Sequence, residues 1–120
     1  MKLISCIREE KDQFKINSFE NLLTEFNADF RKLSKVIGLI GNDVRLKLMW
    51  LINEDKFCVC DLADILQMSV PAISQHLRKL RDVDIVDSYR EKQTIYYLKT
   101  KENKEIVDHL LDLVSKKISI

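Results

Sequence analysis

Residues 58–80 constrain the fold of this chain more than any other stretch of its sequence. Apolar spacing there predicts a short helix over residues 61–67 and a longer helix directly after it. Ser69 is a good N-cap for the second helix, and Pro71 falls in its first turn, where a missing backbone N–H costs nothing. The core-facing stripe of the second helix consists of Ala72, Ile73, Leu77 and Leu80. Two helices joined by so tight a turn predict a helix-turn-helix.

A predicted hairpin follows this helix pair. Residues 85–89 and 94–98 are rich in β-branched and aromatic side chains, which favour strands. Residues 90–93 connect the two runs and complete a hairpin. Because a hairpin directly after a helix-turn-helix is a wing, the sequence predicts a winged helix-turn-helix.

Apolar spacing predicts further helices on either side of this unit. The upstream helices are predicted over residues 14–27, 27–37 and 44–52. Gly38 and Gly41 mark a break before the third of them, which Asn42 or Asp43 would cap. Downstream, residues 106–118 carry a broad apolar stripe and predict a last helix.

The whole chain fits one mainly α fold with a small β-hairpin. It has 120 residues with only 2 Gly and 1 Pro, a composition that favours helices. We interpret residues 1–13 as a flexible N-terminal arm that carries a possible metal ligand, and residues 14–120 as a winged-helix DNA-binding and dimerisation domain. The sequence contains no run of about 18 apolar residues, the length that a membrane-spanning helix needs. The apolar part of the N-terminus is too short and too soon interrupted by charge for a signal peptide, so we expect a cytoplasmic protein with reduced thiols. The odd number of cysteines, 3, also argues against a disulfide framework.

The polar face of the second helix is a candidate DNA-reading surface. A helix in the major groove must present donors and acceptors, and the candidates here are Ser74, Gln75, His76, Arg78 and Lys79. Arg90 and Lys92 of the hairpin could reach phosphates or the minor groove. The net charge is only +1, so binding would depend on a local basic face. The alternative is an ordinary solvated helix face followed by a charged turn.

Cys58 and Cys60 stand one residue apart at the entrance of the short helix. Thiolates select soft or borderline ions, and the backbone N–H groups of a helix N-terminus favour the thiolate. Cys6 is the only other thiol and lies in the N-terminal arm. Two alternatives stay open. The pair is either two small buried apolar residues or a redox switch that is oxidised without any metal.

These motifs resemble the ArsR/SmtB family of winged-helix metal-sensing transcriptional repressors. The resemblance rests on Cys-Val-Cys-Asp-Leu-Ala from Cys58, Ile-Ser-Gln-His-Leu-Arg-Lys-Leu from Ile73, and the strand with Tyr96 and Tyr97. It implies a homodimer whose first and last helices pack across the two-fold axis, with two recognition helices about one DNA turn apart on operator DNA. It further implies repression of a metal or metalloid resistance or efflux operon and release from DNA when metal binds.

The resemblance also implies a ligand set. Cadmium- and lead-sensing relatives recruit N-terminal cysteines across the dimer, so Cys6 of one subunit would join Cys58 and Cys60 of the other. Three thiolates suit As(III), Pb(II) or Hg(II), whereas Cd(II) would take a fourth ligand, either water or Asp61. These soft ions are therefore the expected inducers.

Zinc is disfavoured as the inducer. The second metal site of the family, which senses Zn(II), falls near residues that bind zinc poorly: Glu102, Lys104, Ser115 and Ile118. Asp108 and His109 lie nearby at an unfavourable spacing. The sequence has no Gly-rich phosphate loop, no paired-carboxylate setting and no nucleophile–His–Asp pattern, so we do not expect an enzyme.

Overall fold

A computed structural model describes residues 6–114 of the chain. The chain divides into two compact units, the first ending at Leu33 and the second beginning at Ser34. Helix α1 (Gln13–Glu25) lies in the first unit, where Asp12 caps it by accepting a hydrogen bond from the Lys15 N–H at 2.9 Å. None of the side chains of α1 is buried. Along residues 6–114, no helix is long and apolar enough to cross a membrane.

The remaining elements build a small three-stranded sheet and the helices around it. Helix α2 (Asn27–Ile40) runs from the first unit into the second and is followed by α3 (Asp43–Glu54). The later elements are β1 (Phe57–Cys58), α4 (Val59–Leu66), α5 (Val70–Asp82), β2 (Val86–Glu91), β3 (Thr94–Lys99) and α6 (Lys104–Leu111). The sheet is antiparallel with strand order β1-β3-β2, so β3 lies in the middle.

The core of the second unit holds the helix-turn-helix in place. Its fully buried large side chains come from α3, α4, α5 and the entry to β2: Leu48, Leu62, Ile73, Leu77, Leu80 and Ile85. The predicted stripe of α5 is confirmed at three of its four positions, while Ala72 is only half-buried. Since removing a buried Leu side chain costs about 2–5 kcal/mol, this cluster fixes the orientation of α5.

The turn between α4 and α5 follows the predicted chemistry. Ser69 caps α5 by accepting from the Ala72 N–H at 3.2 Å, and Pro71 sits in the first turn. Gln67 ends α4 in the left-handed conformation, with φ 54° and ψ 46°. Asn42 caps α3 by accepting from the Arg45 N–H at 3.1 Å. The winged helix-turn-helix prediction is confirmed.

Two local predictions were wrong, and one short strand was missed. Gly38 does not break α2, because Val36 and Ile40 bury on the same face and outweigh the helix cost of one glycine, about 1 kcal/mol. Strand β1 was missed, since its two residues carry no periodic signal and depend on pairing with β3. The last helix ends at Leu111 and does not continue through residues 112–114, where Leu113 is 82% exposed and finds no packing. The rest of the predicted span, 115–118, lies outside the described residues.

Candidate nucleic-acid interface and thiol site

The side chains predicted to contact DNA lie on the faces of α5 that point away from the core. Gln75, Arg78 and Lys79 are exposed, whereas Ser74 and His76 are half-buried. An open groove of about 360 Å³ runs along this helix and is lined by Pro71, Ala72, Gln75, His76 and Lys79. The structure thus brings three of the five predicted residues of α5 to one groove. Ser74 and Arg78 lie outside its lining.

His76 is anchored from behind by Arg45, a residue that sequence reasoning missed. The Arg45 guanidinium donates through Nε to the Leu39 carbonyl at the end of α2 and lies 3.2 Å, Nη1 to Nδ1, from the His76 ring. Burial, followed by the positive charges of Arg45 and Lys79, lowers the pKa of His76, with a smaller opposing effect from Asp43. His76 is therefore held in its neutral form at neutral pH.

A signal for Arg45 was present in the sequence. The buried stripe of α3 consists of Arg45, Leu48, Met49 and Ile52, which are spaced as one helical face. A guanidinium on a core-facing stripe is unusual, because burying a charge is costly without strong partners. That position alone marks Arg45 as a residue held for its hydrogen bonds.

The wing carries both predicted basic residues on its exposed part. Arg90 lies on β2 and Lys92 at the tip, where the turn between β2 and β3 is only two residues long. Lys92 has φ 60°, a conformation that glycine adopts more readily. Both side chains are exposed and free to approach a phosphate backbone.

The thiols sit at the start of α4, outside the core. Cys58 is the last residue of β1 and the N-cap of α4, and its side chain is half-buried, while Cys60 in the first turn is exposed. Asp61 accepts a hydrogen bond from the Cys58 N–H at 3.4 Å, which ties the carboxylate to the same helix entrance. All three cysteines are free thiols. Two accessible soft donors within one helical turn fit a thiophilic ion.

The sheet connects Cys58 to the wing. Cys58 pairs with Tyr96 of β3, and Tyr96 pairs with Tyr89 of β2, so the three side chains form a row on one face. The two tyrosine rings stack with centroids 5.6 Å apart. Lys56 lies 4.6 Å from the Tyr96 ring centre and bonds Glu91 near the wing tip at 3.0 Å. The helix entrance and the wing are therefore parts of one sheet.

Within residues 6–114 of a single copy, no group of three or more His, Cys, Asp or Glu side chains could hold a metal ion. Cys6 belongs to the first unit and is exposed. On α6, Asp108 bonds Lys104 at 2.6 Å, an ion pair that lowers the pKa of the carboxyl group, and His109 is exposed. Two of the positions near which the resemblance placed a zinc site, Ser115 and Ile118, lie outside the described residues.

Known proteins are similar to this chain in sequence and in fold. Residues 42–88 match the family model described as "Bacterial regulatory protein, arsR family". The cadmium resistance transcriptional regulatory protein CadC of Listeria innocua is 35% identical over 95 residues, which cover 78% of this chain and 75% of that protein. The chain belongs to the ArsR family.

One further relative and one solved structure are also similar to this chain. The arsenic resistance transcriptional regulator ArsR1 of Pseudomonas putida is 36% identical over 77 residues, or 63% of this chain and 60% of that protein. The structure of reduced HlyU from Vibrio cholerae superimposes with a TM-score of 0.71 at 27% identity, covering 78% of this chain and all of HlyU. As an ArsR-family member with a winged helix-turn-helix, the chain is a DNA-binding transcriptional regulator and not an enzyme.

Proposed function

We propose that this chain is a homodimeric repressor of a metal or metalloid resistance or efflux operon, released from its operator by a soft ion on cysteine thiolates. The ligands are Cys58 and Cys60 of one subunit and Cys6 of the other. Relatives named for cadmium resistance and for arsenic resistance support this class of inducer. Such a site needs reduced thiols, as in the cytoplasm.

The observation that carries the proposal is the position of the two thiols at one helix entrance. Free cysteines that serve only as small apolar residues are usually buried, whereas Cys60 is exposed and Cys58 is half-buried. This arrangement supports metal binding over a packing role.

Two thiolates leave a soft ion underliganded, so the third donor decides the inducer. Three sulfurs suit As(III), Pb(II) or Hg(II), and Cd(II) takes a fourth ligand. Asp61 is the nearest candidate for that fourth position, because its carboxylate already hydrogen-bonds the Cys58 backbone. Zinc is the less favoured inducer, because at the separate zinc site that the resemblance implies on α6, Lys104 occupies one position and pairs with the nearby Asp108.

The dimer is supported by apolar side chains that a single copy leaves in solvent. Along α1 and the start of α2 the exposed large apolar residues are Phe14, Phe19, Leu22, Leu23, Phe26, Phe30 and Leu33. A stripe of this size normally marks an interface. Self-association through a two-fold axis would present two copies of α5 to successive major grooves of a pseudo-palindromic operator.

On DNA, α5 reads base edges and the wing holds the backbone. Arg78, Gln75 and His76 supply guanidinium, amide and imidazole groups for base contacts, with Ser74 at the flank. Lys79, Arg90 and Lys92 neutralise phosphates, which makes operator affinity fall steeply with salt.

Metal binding and DNA binding are coupled through the sheet that contains Cys58. An ion that draws the Cys58 sulfur towards its other ligands pulls on β1, and β1 is hydrogen-bonded to the central wing strand β3. A displaced wing no longer matches the phosphates that α5 has aligned. By linkage, operator DNA must then weaken metal binding by the same factor.

One titration tests the proposal. Reduced protein is titrated with Cd(II), Pb(II), Hg(II), As(III) and Zn(II) while thiolate-to-metal absorption and release of its promoter DNA are followed together. We expect release at one equivalent per site for one of the first four ions. Cys6→Ser should lower the ligand number by one sulfur, and an unchanged spectrum would rule out the cross-subunit site. Release by peroxide without metal, together with no release by any metal, would favour the redox switch instead.

A further inference from the structure

Arg45 is the one charged side chain that is buried among residues 6–114. No carboxylate forms an ion pair with it in that part of the chain. Its two hydrogen bonds go to the Leu39 carbonyl at the end of α2 and to Nδ1 of His76 on α5. Burying a guanidinium without an anion is unfavourable. Here the buried group makes its side-chain contact with the recognition helix α5.

The partner chemistry fixes the proton on the His76 ring. Arginine has only donors, so the ring nitrogen that faces it must accept. A neutral imidazole has one donor and one acceptor, and the 3.2 Å contact assigns acceptance to Nδ1. The proton therefore resides on Nε2. Within the described residues no protein group accepts from Nε2, and His76 lines the open groove along α5.

We infer that Arg45 is a positioning residue of the DNA-reading surface: it locks His76 as the Nε2–H tautomer, so that α5 offers this ring to the operator as a hydrogen-bond donor. The inference rests on the proposed DNA role of His76. The matching group on DNA is an acceptor, either a purine N7 or guanine O6 at a base edge or a phosphate oxygen. Arg45 itself is buried behind the helix, and we expect it to act through His76 and not by contacting a base.

The surrounding charges keep this arrangement in one state. Protonating His76 would set N–H against N–H at Arg45, and Lys79 adds a second positive charge on the same helix. Only Asp43, at the start of α3, favours the charged ring. The His76 ring is therefore a neutral donor with a fixed orientation, so it need not change its tautomer or rotate when DNA binds.

The first test reads the tautomer without DNA. Imidazole nitrogen shifts of full-length protein at neutral pH should show an unprotonated Nδ1 and a protonated Nε2 for His76, with exposed His109 as the internal reference. Arg45→Met, of similar volume, should populate the Nδ1–H form and raise the pKa of His76. Unchanged shifts in a folded Arg45→Met protein, or Nδ1–H in the parent, would overturn the inference.

The second test stands even if Arg45→Met fails to fold. His76→Asn keeps a polar group at the δ position for Arg45 but removes the ε donor, whereas His76→Gln keeps a donor near the ε position and loses the Arg45 bond. We expect His76→Asn to bind promoter DNA about five- to tenfold more weakly than the parent, the size of one lost hydrogen bond. His76→Gln should lie in between. Equal binding by the Asn variant and the parent, or a Gln variant weaker than Asn, would refute a donor role.

A modified duplex separates the two sources of acceptor. The protected site of the promoter is remade with 7-deazaguanine and then with 7-deazaadenine in place of the natural purines. If a deaza duplex weakens binding by the parent but not by His76→Asn, the Nε2–H group donates to a purine N7. If His76→Asn binds more weakly than the parent by the same factor on all duplexes, the Nε2–H group donates to a phosphate or to an acceptor other than N7. Failure of the parent to bind its promoter at all would count against the proposed function, while the tautomer measurement would still judge Arg45.

Discussion

The entrances of α4 and α5 lie only eleven residues apart, from Cys58 to Ser69, yet they are built in opposite ways. At α5, a serine cap, a proline in the first turn and fully buried Ile73 and Leu77 hold the helix before any DNA arrives. At α4, the cap is a cysteine at the end of a two-residue strand, and within residues 6–114 of one copy its thiol belongs to no group of three or more metal-binding side chains. The proposed reading side is thus preassembled, whereas the proposed sensing side would need a further ligand from outside this group to complete a three-sulfur site.

The largest expected effect tests the preassembled side. Leu77→Ala removes a side chain that is 1% exposed beneath the recognition helix, and we expect unfolding free energy to fall by about 2–5 kcal/mol. Ile65→Ala on α4 is the matched control, because Ile65 is 48% exposed and its loss should cost about 1 kcal/mol or less. Denaturant melts of both variants make the measurement. Equal losses would mean that burial of Leu77 contributes no more to stability than the partly exposed Ile65 does.

The next effect isolates the sensing side. Replacing both Cys58 and Cys60 by Ser removes the two thiolates at the α4 entrance but no core residue, so operator affinity should stay within about twofold of the parent, an effect under 0.5 kcal/mol. Metal affinity and inducer-driven release should fall by at least about a hundredfold, beyond the loss typical of a mutated outer-shell partner. Fluorescence anisotropy with and without the best inducing ion checks both. Release at the parent's inducer dose would show that the thiols do not sense the ion.

The same contrast explains what sequence could predict. Helix α5 was predictable because its cap, its proline and its apolar stripe are all local signals. Strand β1 was not, since Phe57 and Cys58 become a strand only by pairing with Tyr97 and Tyr96, about forty positions later in the chain. The two thiols were therefore found from their residue type, while their link to the wing depends on tertiary pairing.

Arg45 and Gly38 show the same limit within helices. The spacing of Arg45 with Leu48 fits a core-facing position, a signal that sequence reasoning did not use, and only the folded chain shows that the guanidinium contacts His76. Gly38 disfavours a helix locally, but burial of Val36 and Ile40 on the same helix outweighs that cost. Site residues that act through a neighbour are thus hard to predict, because local spacing can show that a residue faces the core but not which distant side chain it contacts.

A smaller effect is expected at the wing, which joins the two sides. Lys92→Gly removes a tip charge and at the same time relieves a φ of 60°, so stability should not fall. Losing one phosphate contact should weaken operator binding about fivefold and reduce the slope of log affinity against log salt by about 1. Lys104→Ala is the control, since that lysine is paired with Asp108 on α6. If the slope of log affinity against log salt is unchanged in Lys92→Gly, the wing tip does not contact a phosphate of the operator.

The smallest expected effect concerns the turn between the two entrances. Gln67 adopts φ 54° and ψ 46°, a left-handed conformation that costs a non-glycine residue about 1 kcal/mol. Gln67→Gly should therefore raise unfolding free energy by up to about 1 kcal/mol, less the entropy that glycine gains in the unfolded chain. Because Gln67 lies in neither proposed site, metal and operator affinities should stay unchanged if α4 and α5 are already held by their separate core contacts. A shift in the metal concentration needed for release, with stability raised, would instead show that the sensing and reading helices communicate through this turn as well as through the sheet.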